Sequence, residues 1–414
     1  SFLTIPVDRR ANMETKSDVV VIGGGPAGAT AALLLAQAGW SVALIEKARF
    51  PRKKVCGEFL SATNFPLLRR LGVASVFREL AGPEIRRVGL FAGDAILSAA
   101  MPHAAHAIDG WGRALGREHL DTLLLERAEE TGAQIWQPWA ATELVKEGEE
   151  HVCKIVSKET DGVRFLRSPI VVAAHGSWEP GTLPTQRKRQ ATRRSDLLGF
   201  KAHFHECDLA PGLMPLLAFP GGYGGMVHTD HDRVSLSCCI KRDQLQRIRE
   251  RLPGARATEG VLAHIRTECR GVNQALAQAR LDGAWLSAGP IQPGIRFRAG
   301  GGIFAIGNAA GEAHPVIAEG ISMAMQSAWV LCDLLIPRRR EVLSGNAITE
   351  ISREYVAAWR KGFAGRIRVA AGLAQLIMRP AAGKISLPIL KLFPEILSLG
   401  ARMSGKVAQI VPRS

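Results

Sequence analysis

The chain has 414 residues, enough for two or three lobes, and its 47% hydrophobic and 22% charged content excludes long disorder. Seven scattered cysteines with no Cys-x-x-Cys pair argue against a disulfide framework or a zinc site, so no metal is expected and a reducing cytoplasm is the expected compartment. The net charge of +15 raises the question of an acidic partner.

Residues 1–12 lack the apolar core of a signal peptide and are expected to precede the fold. Asp18 to Ile22 is a short β-branched run, the pattern of a buried parallel strand. Gly23, Gly25 and Gly28 follow in G-x-G-x-x-G spacing. The first permits a tight turn, the second lets a pyrophosphate approach the backbone, and the third lets helix and strand pack closely. Pro26 and Ala27 open a helix that runs through Ala38 and stops at Gly39. Its N-terminus offers free N–H groups to an anion. Ser41 to Ile45 is the next strand, and Glu46 ends it where a ribose-binding carboxylate belongs, with Lys47 beside it as a further cofactor contact. A plain strand–helix–strand unit would not need three such glycines plus Glu46. The stretch therefore predicts dinucleotide binding.

A helix is expected over Ala62–Leu71, followed at 81–111 by a Gly-, Ala- and His-rich excursion into another lobe. Leu120, Leu123, Leu124 and Ala128 recur at helical spacing, and Gln134 begins a strand. Residues 140–173 hold two or three strand-like runs. Gly199 to Ile240 alternates strands and turns, as an antiparallel sheet does, and two helical stretches follow near 243–251 and 261–270. Trp285–Ala288 and Ile303–Ile306 are short apolar runs expected to return to the first domain. Glu319–Ile336 and most of 349–380 are expected to be helical, and Pro388 and Pro394 break the end into short amphipathic pieces. No run of 18 apolar residues lacks a charge, so no membrane-spanning helix is expected.

Three separated motifs together resemble the FAD-dependent monooxygenase superfamily. They are the glycine fingerprint with Glu46, Arg117–Asp121 as R-x-x-L-D, and Ile306–Gly311 followed by Pro315 and Gly320–Ile321. A fourth element, Pro51–Glu58 as P-R-x-K-x-C-G-E, is similar to the geranylgeranyl-reductase-like subgroup, including oxidoreductases of natural-product pathways. The resemblance implies FAD contacts from Arg117, Gly307, Asn308, Gly311, Pro315, Gly320 and Ile321. Asn308 stands where the family has aspartate and His175 where it has the aspartate of A-D-G. The tryptophan motif of flavin halogenases is missing, which argues against halogenation.

The implied fold is α/β. An FAD-binding three-layer Rossmann-like domain takes residues 17–80, 112–180 and 283–340. An antiparallel-sheet substrate domain is inserted at 181–282, with the excursion at 81–111, and 341–414 form a helical C-terminal region. The expected function is an FAD-dependent oxidoreductase, foremost an NAD(P)H-dependent monooxygenase of a hydrophobic or aromatic natural product. With a single dinucleotide fingerprint present, NAD(P)H is expected as a transient reductant. A reductase of isoprenoid or polyene double bonds is the first alternative, and a flavoprotein-like binding module without catalysis the second.

Cys56, in a basic setting after Arg52, Lys53 and Lys54, is the candidate catalytic residue; the competing reading is packing. His314 is expected to be structural or to face the flavin, and Cys238 and Cys239 to pack. The Gly221–Gly225 loop is either a close-approach surface or a hairpin turn. Residues 361–414 carry nine Lys or Arg against one acid, Glu395, a net +8. These charges are interleaved with Leu, Ile and Ala rather than with stacking aromatics. A peripheral membrane surface or an acidic carrier protein is expected there, and nucleic acid is not. A second basic cluster, Arg187, Lys188, Arg189, Arg193 and Arg194, is read as solvated surface.

Overall fold

A computed structural model describes residues 14–103, 110–176, 181–188, 191–297, 299–379 and 387–406. The expected N-terminal extension at 1–12 and Arg189 of the second basic cluster lie outside them.

The first domain has three layers. Its middle layer is a six-stranded sheet in the order Ala299–Gly300, Ile303–Ala305, Ile170–Ala173, Val19–Ile22, Val42–Ile45 and Gln134–Trp136. All neighbours are parallel except the outermost pair, Ala299–Gly300 with Ile303–Ala305. Strand alternation distributes the side chains. Val19, Val21, Val42, Leu44, Ile170 and Val172 face a layer of helices, chiefly Pro26–Gln37, Arg117–Glu130 and Gly320–Leu335. Val20, Ile22, Ala43, Ile45 and Val171 face the other way, onto Leu144, Ile155 and Leu166. Those belong to a second sheet, ordered Glu14–Lys16, Val163–Ser168, Glu150–Ser157 and Trp139–Glu147. Each fully buried Val, Leu or Ile contributes about 1.5–3 kcal/mol, so a sheet covered on both faces is strongly held.

The second domain is a seven-stranded sheet ordered Arg280–Ile291, Leu197–His205, Val234–Lys241, Gly222–His228, Leu213–Phe219, Arg87–Ala92 and Ala95–Ala100. It departs from the expected purely antiparallel sheet, because Leu213–Phe219 pairs in parallel with Arg87–Ala92. The excursion at 81–111 thus supplies two edge strands. The strand Arg280–Ile291 corrects another expectation. Trp285–Ala288 does not return to the first domain; it pairs antiparallel with Leu197–His205, and the sheet runs through residue 282 to Ile291. The helices Arg242–Arg251, Ala257–Glu268 and Arg270–Ala275 cover one face through Leu245, Ile248, Val261, Ile265 and Val272.

The C-terminal region follows as Ile348–Trp359, a widened turn at Arg360–Ala364, Gly365–Ile377, helical residues 387–392, and Glu395–Ala401. Helical residues Gly320–Leu343 are long and apolar enough to cross a membrane by composition, but 61% of the apolar window is buried inside the fold, the position of a core helix.

Candidate active site

The grip forms where the strand Val19–Ile22 turns into the helix Pro26–Gln37. Gly23 has φ +111°, and a Cβ there would lie 2.5 Å from the Ala174 carbonyl oxygen. A Cβ on Gly28 would lie 1.8 Å from the Gly23 carbonyl oxygen. These two glycines therefore serve the turn and the helix–strand contact. Gly25, the residue before the helix, has its Cα open toward Arg117 Nη2 and Arg52 Nη2, 3.8 and 4.0 Å from where a Cβ would sit.

Glu46 is buried and organises the other side. Its Oε2 accepts from the Gly24 amide at 2.8 Å and its Oε1 from the Ala48 amide at 2.9 Å. Arg52 spans the two sides, 3.7 Å from Glu46 Oε2 and 3.4 Å from Asp121 Oδ2. Its Nε and Nη1 are nevertheless buried without a hydrogen-bond partner. Arg117 is held more tightly, donating to Asp121 at 2.7 and 2.6 Å. Burial opposes its charge, but Asp121 and then Cys56 raise its proton affinity above the usual guanidinium range. Lys54 is driven down to about 8, first by burial and then by the Arg52 and Arg117 charges.

These residues fit a bound dinucleotide. Helix-end amides, an open Cα at Gly25 and orphaned donors on Arg52 suit a pyrophosphate, while Glu46 closes the end of the second strand. Arg52 and Lys54 were not singled out as contacts in the sequence, although both stand inside the Pro51–Glu58 element.

From this grip a cavity of about 1420 Å³ extends between the two domains, larger than the usual 300–1,000 Å³ of a single-ligand pocket. Of the expected contacts, Gly23, Gly25, Pro26, Ala27, Glu46, Lys47, Arg117, Asn308, Pro315, Gly320 and Ile321 line it, as does Cys56. Gly28, Gly307 and Gly311 are placed otherwise. The Gly307 amide donates to Ser327 Oγ at 2.7 Å, and a Cβ on Gly307 would meet Ala27. A Cβ on Gly311 would lie 2.6 Å from the Trp359 ring. At all three glycines, protein stands where a Cβ would go.

Asn308 donates to Glu312 Oε1 at 3.3 Å, and Arg296 pairs with Glu312 Oε2 at 2.9 Å. His175 lines the cavity with its ring fixed between the Gly176 carbonyl and Thr185 Oγ1. His314 bonds Tyr223 Oη through Nδ1 at 3.1 Å, and burial lowers its proton affinity.

The far end of the cavity is apolar, walled by Met214, Leu216, Phe219, Leu373, Ile377 and Leu390. Gly221, with φ +75°, makes the hairpin turn, whereas Gly224 and Gly225 continue the strand along the cavity wall. Both readings of this loop therefore apply, to different glycines. Cys238 and Cys239 are buried, and burial pushes Cys239 up to about 12.

Two buried ionic clamps join the domains. Glu58, at φ +63°, accepts from His203 at 2.8 Å, from the Arg117 amide at 3.1 Å and from Lys201. Burial would raise its pKa, but Lys201 and His203 prevail and hold it at about 2. Asp230 accepts from the Gly116 amide at 2.6 Å and pairs with Arg233, which also reaches Glu118 at 3.0 Å. His119 and His231 lie beside Asp230 within metal-ligand reach, but the Arg233 guanidinium already neutralises that carboxylate. Lys201 and His203 alternate to one face of a strand whose opposite face, Leu198, Phe200, Ala202 and Phe204, is wholly apolar, the signal that could have marked them.

Comparison with known proteins places this geometry. The sequence profile of the FAD binding domain family matches residues 16–366. The chain is 23% identical to the menaquinone reductase of Mycolicibacterium smegmatis over 410 residues, covering 95% of this chain and 93% of that protein. It is 29% identical to the 6-methylpretetramide 4-monooxygenase of Streptomyces rimosus over 347 residues, covering 79% and 77%. The myxobacterial halogenase CndH shares the fold with a TM-score of 0.73 at 19% identity, over 96% of this chain and 94% of that one.

Proposed function

The chain belongs to the FAD binding domain family, among the FAD-dependent monooxygenase and geranylgeranyl-reductase-like flavoproteins, and is an FAD-dependent oxidoreductase; we propose that it is an NAD(P)H-dependent monooxygenase that hydroxylates a hydrophobic or aromatic natural product. FAD supplies the redox and oxygen chemistry when bound. The chain's own residues bind and orient. Gly25, Arg52 and Arg117 would hold the diphosphate, Glu46 the ribose, and Asn308, Pro315 and Gly320 would border the ring system.

The observation that carries this reading is the apolar chamber continuous with the grip. Its buried thiols and Tyr223 stay protonated and uncharged, since burial pushes each upward. Such walls exclude water and admit an apolar ring. The kinship to a monooxygenase along most of the chain supports the same choice. NAD(P)H visits as a transient reductant, and the enzyme acts in the cytoplasm, peripherally at a membrane.

Reduction of an isoprenoid or polyene double bond is the second reading. Cys56 favours it, because its thiol lines the cavity beside Arg117 and could hand a proton to a carbon centre. Purified holoprotein decides between them. NAD(P)H should bleach the flavin spectrum, and substrate turnover should consume oxygen. Turnover that proceeds equally well without oxygen overturns the monooxygenase reading in favour of double-bond reduction.

A further inference from the structure

We propose that residues 387–406 form an anionic-lipid docking face, so that the apolar cavity opens onto a bilayer surface. The last helices carry large apolar side chains on both sides. Leu387, Leu390, Leu397 and Ala401 point into the cavity. The opposite stripe, Leu392, Phe393, Leu399 and Met403, is 75%, 59%, 56% and 58% exposed. Apolar side chains on a helix are ordinarily covered. Here one side is covered by the protein and the other by solvent.

The exposed stripe is also held in place. Ser398 Oγ donates to the Ala100 carbonyl at 2.6 Å, and Lys406 Nζ donates to the Ile317 carbonyl at 2.6 Å and to Glu319 at 3.1 Å. Leu392 and Phe393 are thus presented outward by an anchored segment. Their partner must be apolar at the centre and negative at the rim, because Arg368, Arg379, Lys391 and Arg402 are exposed in the stretch 361–406, in which Glu395 is the lone acid. A bilayer with anionic headgroups matches both demands. Side chains insert below the headgroups while Lys and Arg extend to the phosphates. An acidic carrier protein would satisfy the charges but leave four large apolar side chains without a matching depth of hydrocarbon.

The position of the cavity gives the face a purpose. Leu376, Arg379, Ile389 and Ile396 are both exposed and part of the cavity lining, so they form its rim. This step rests on the chamber being the substrate site. A substrate dissolved in the bilayer would then enter without crossing water.

The test is flotation of the FAD-loaded full chain with vesicles of phosphatidylcholine mixed with phosphatidylglycerol, compared with phosphatidylcholine alone. Binding is expected to the anionic vesicles, weaker to the neutral ones, and reduced by salt. The double variant Leu392→Asp, Phe393→Asp, at two residues that do not line the cavity, should lower vesicle binding by at least about tenfold while keeping the flavin absorbance. Absence of flotation at low salt, or equal flotation of the double variant, overturns the proposal. So does capture by a soluble acyl carrier protein without vesicle binding. Oxygen-coupled turnover in detergent solution is read separately. If it fails while vesicle binding holds, the reaction assignment falls and the docking face stands.

Discussion

Glu58 and His203 meet across the domain boundary at 2.8 Å, both buried, with Lys201 closing the same carboxylate. The pair fixes the strand Leu197–His205 of the substrate sheet to the loop that follows the dinucleotide grip. Its pKa makes it an acid-sensitive clamp. The carboxyl falls from an ordinary 4.5 to about 2, so its stabilisation is full above pH 4.5 and is lost as pH drops through 2. The shift corresponds to roughly 3 kcal/mol. Glu58→Gln should lower stability at neutral pH by about 3–5 kcal/mol, because Lys201 is left buried without a counter-charge. It should also flatten the loss between pH 4.5 and 2. Denaturant melts at a series of pH values read both effects, and parallel curves for the two proteins would refute the clamp.

Asn308 bears on how firmly the flavin is held. Restoring the aspartate usual in the family would look like an improvement. Yet the Asn308 amide donates to Glu312, so Asn308→Asp sets two carboxylates face to face beside Arg296. The variant should lose flavin about five- to tenfold more readily, measured as cofactor retained after ultrafiltration. Tighter retention would show that Glu312 does not control this position.

Gly225 sets the width of the chamber. A Cβ there has ordinary space, 3.5 Å from the Pro215 carbonyl, and the residue lines the cavity on the same strand face as Tyr223. Gly225→Val should leave the melting temperature nearly unchanged while raising KM several-fold for a bulky substrate. Gly224→Val is the contrast, since its Cβ would lie 2.6 Å from the Ser237 carbonyl and should destabilise the strand.

Cys56 separates the two reactions. In double-bond reduction a thiol beside Arg117 supplies a proton, and Cys56→Ser should cut kcat by roughly 10²-fold with the flavin spectrum intact. In hydroxylation the thiol only borders the cavity, and the change should appear in KM. Unchanged kinetics would leave Cys56 a packing residue.

The parts of this site that are local in sequence were legible. Gly23 to Gly28 and Glu46 belong to one strand–helix–strand unit, so spacing alone brings them together. Arg117 and Asp121 are one helical turn apart. The clamp was not legible, because Lys201 and His203 reach Glu58 over more than 140 residues and no local period encodes that meeting. Gly311 was ambiguous for another reason. A glycine marks a close approach without saying what approaches, and here it is Trp359. Trp285–Ala288 misled because a four-residue apolar run reads alike as an inner parallel strand or as part of a long edge strand.

The central sheet has a consequence for how the protein is made. The strand Ile303–Ala305 pairs beside Ile170–Ala173, while Val19–Ile22 lies on the other side of that strand. On the ribosome the early strands emerge long before residue 305, so the nucleotide half must wait, with one strand edge open, while the whole second domain is synthesised. The inserted sheet has its own apolar core and can form during that pause. An emerging chain in which the insert folds slowly would expose the edge of Ile170–Ala173 to other chains, which makes this strand the vulnerable point of biogenesis.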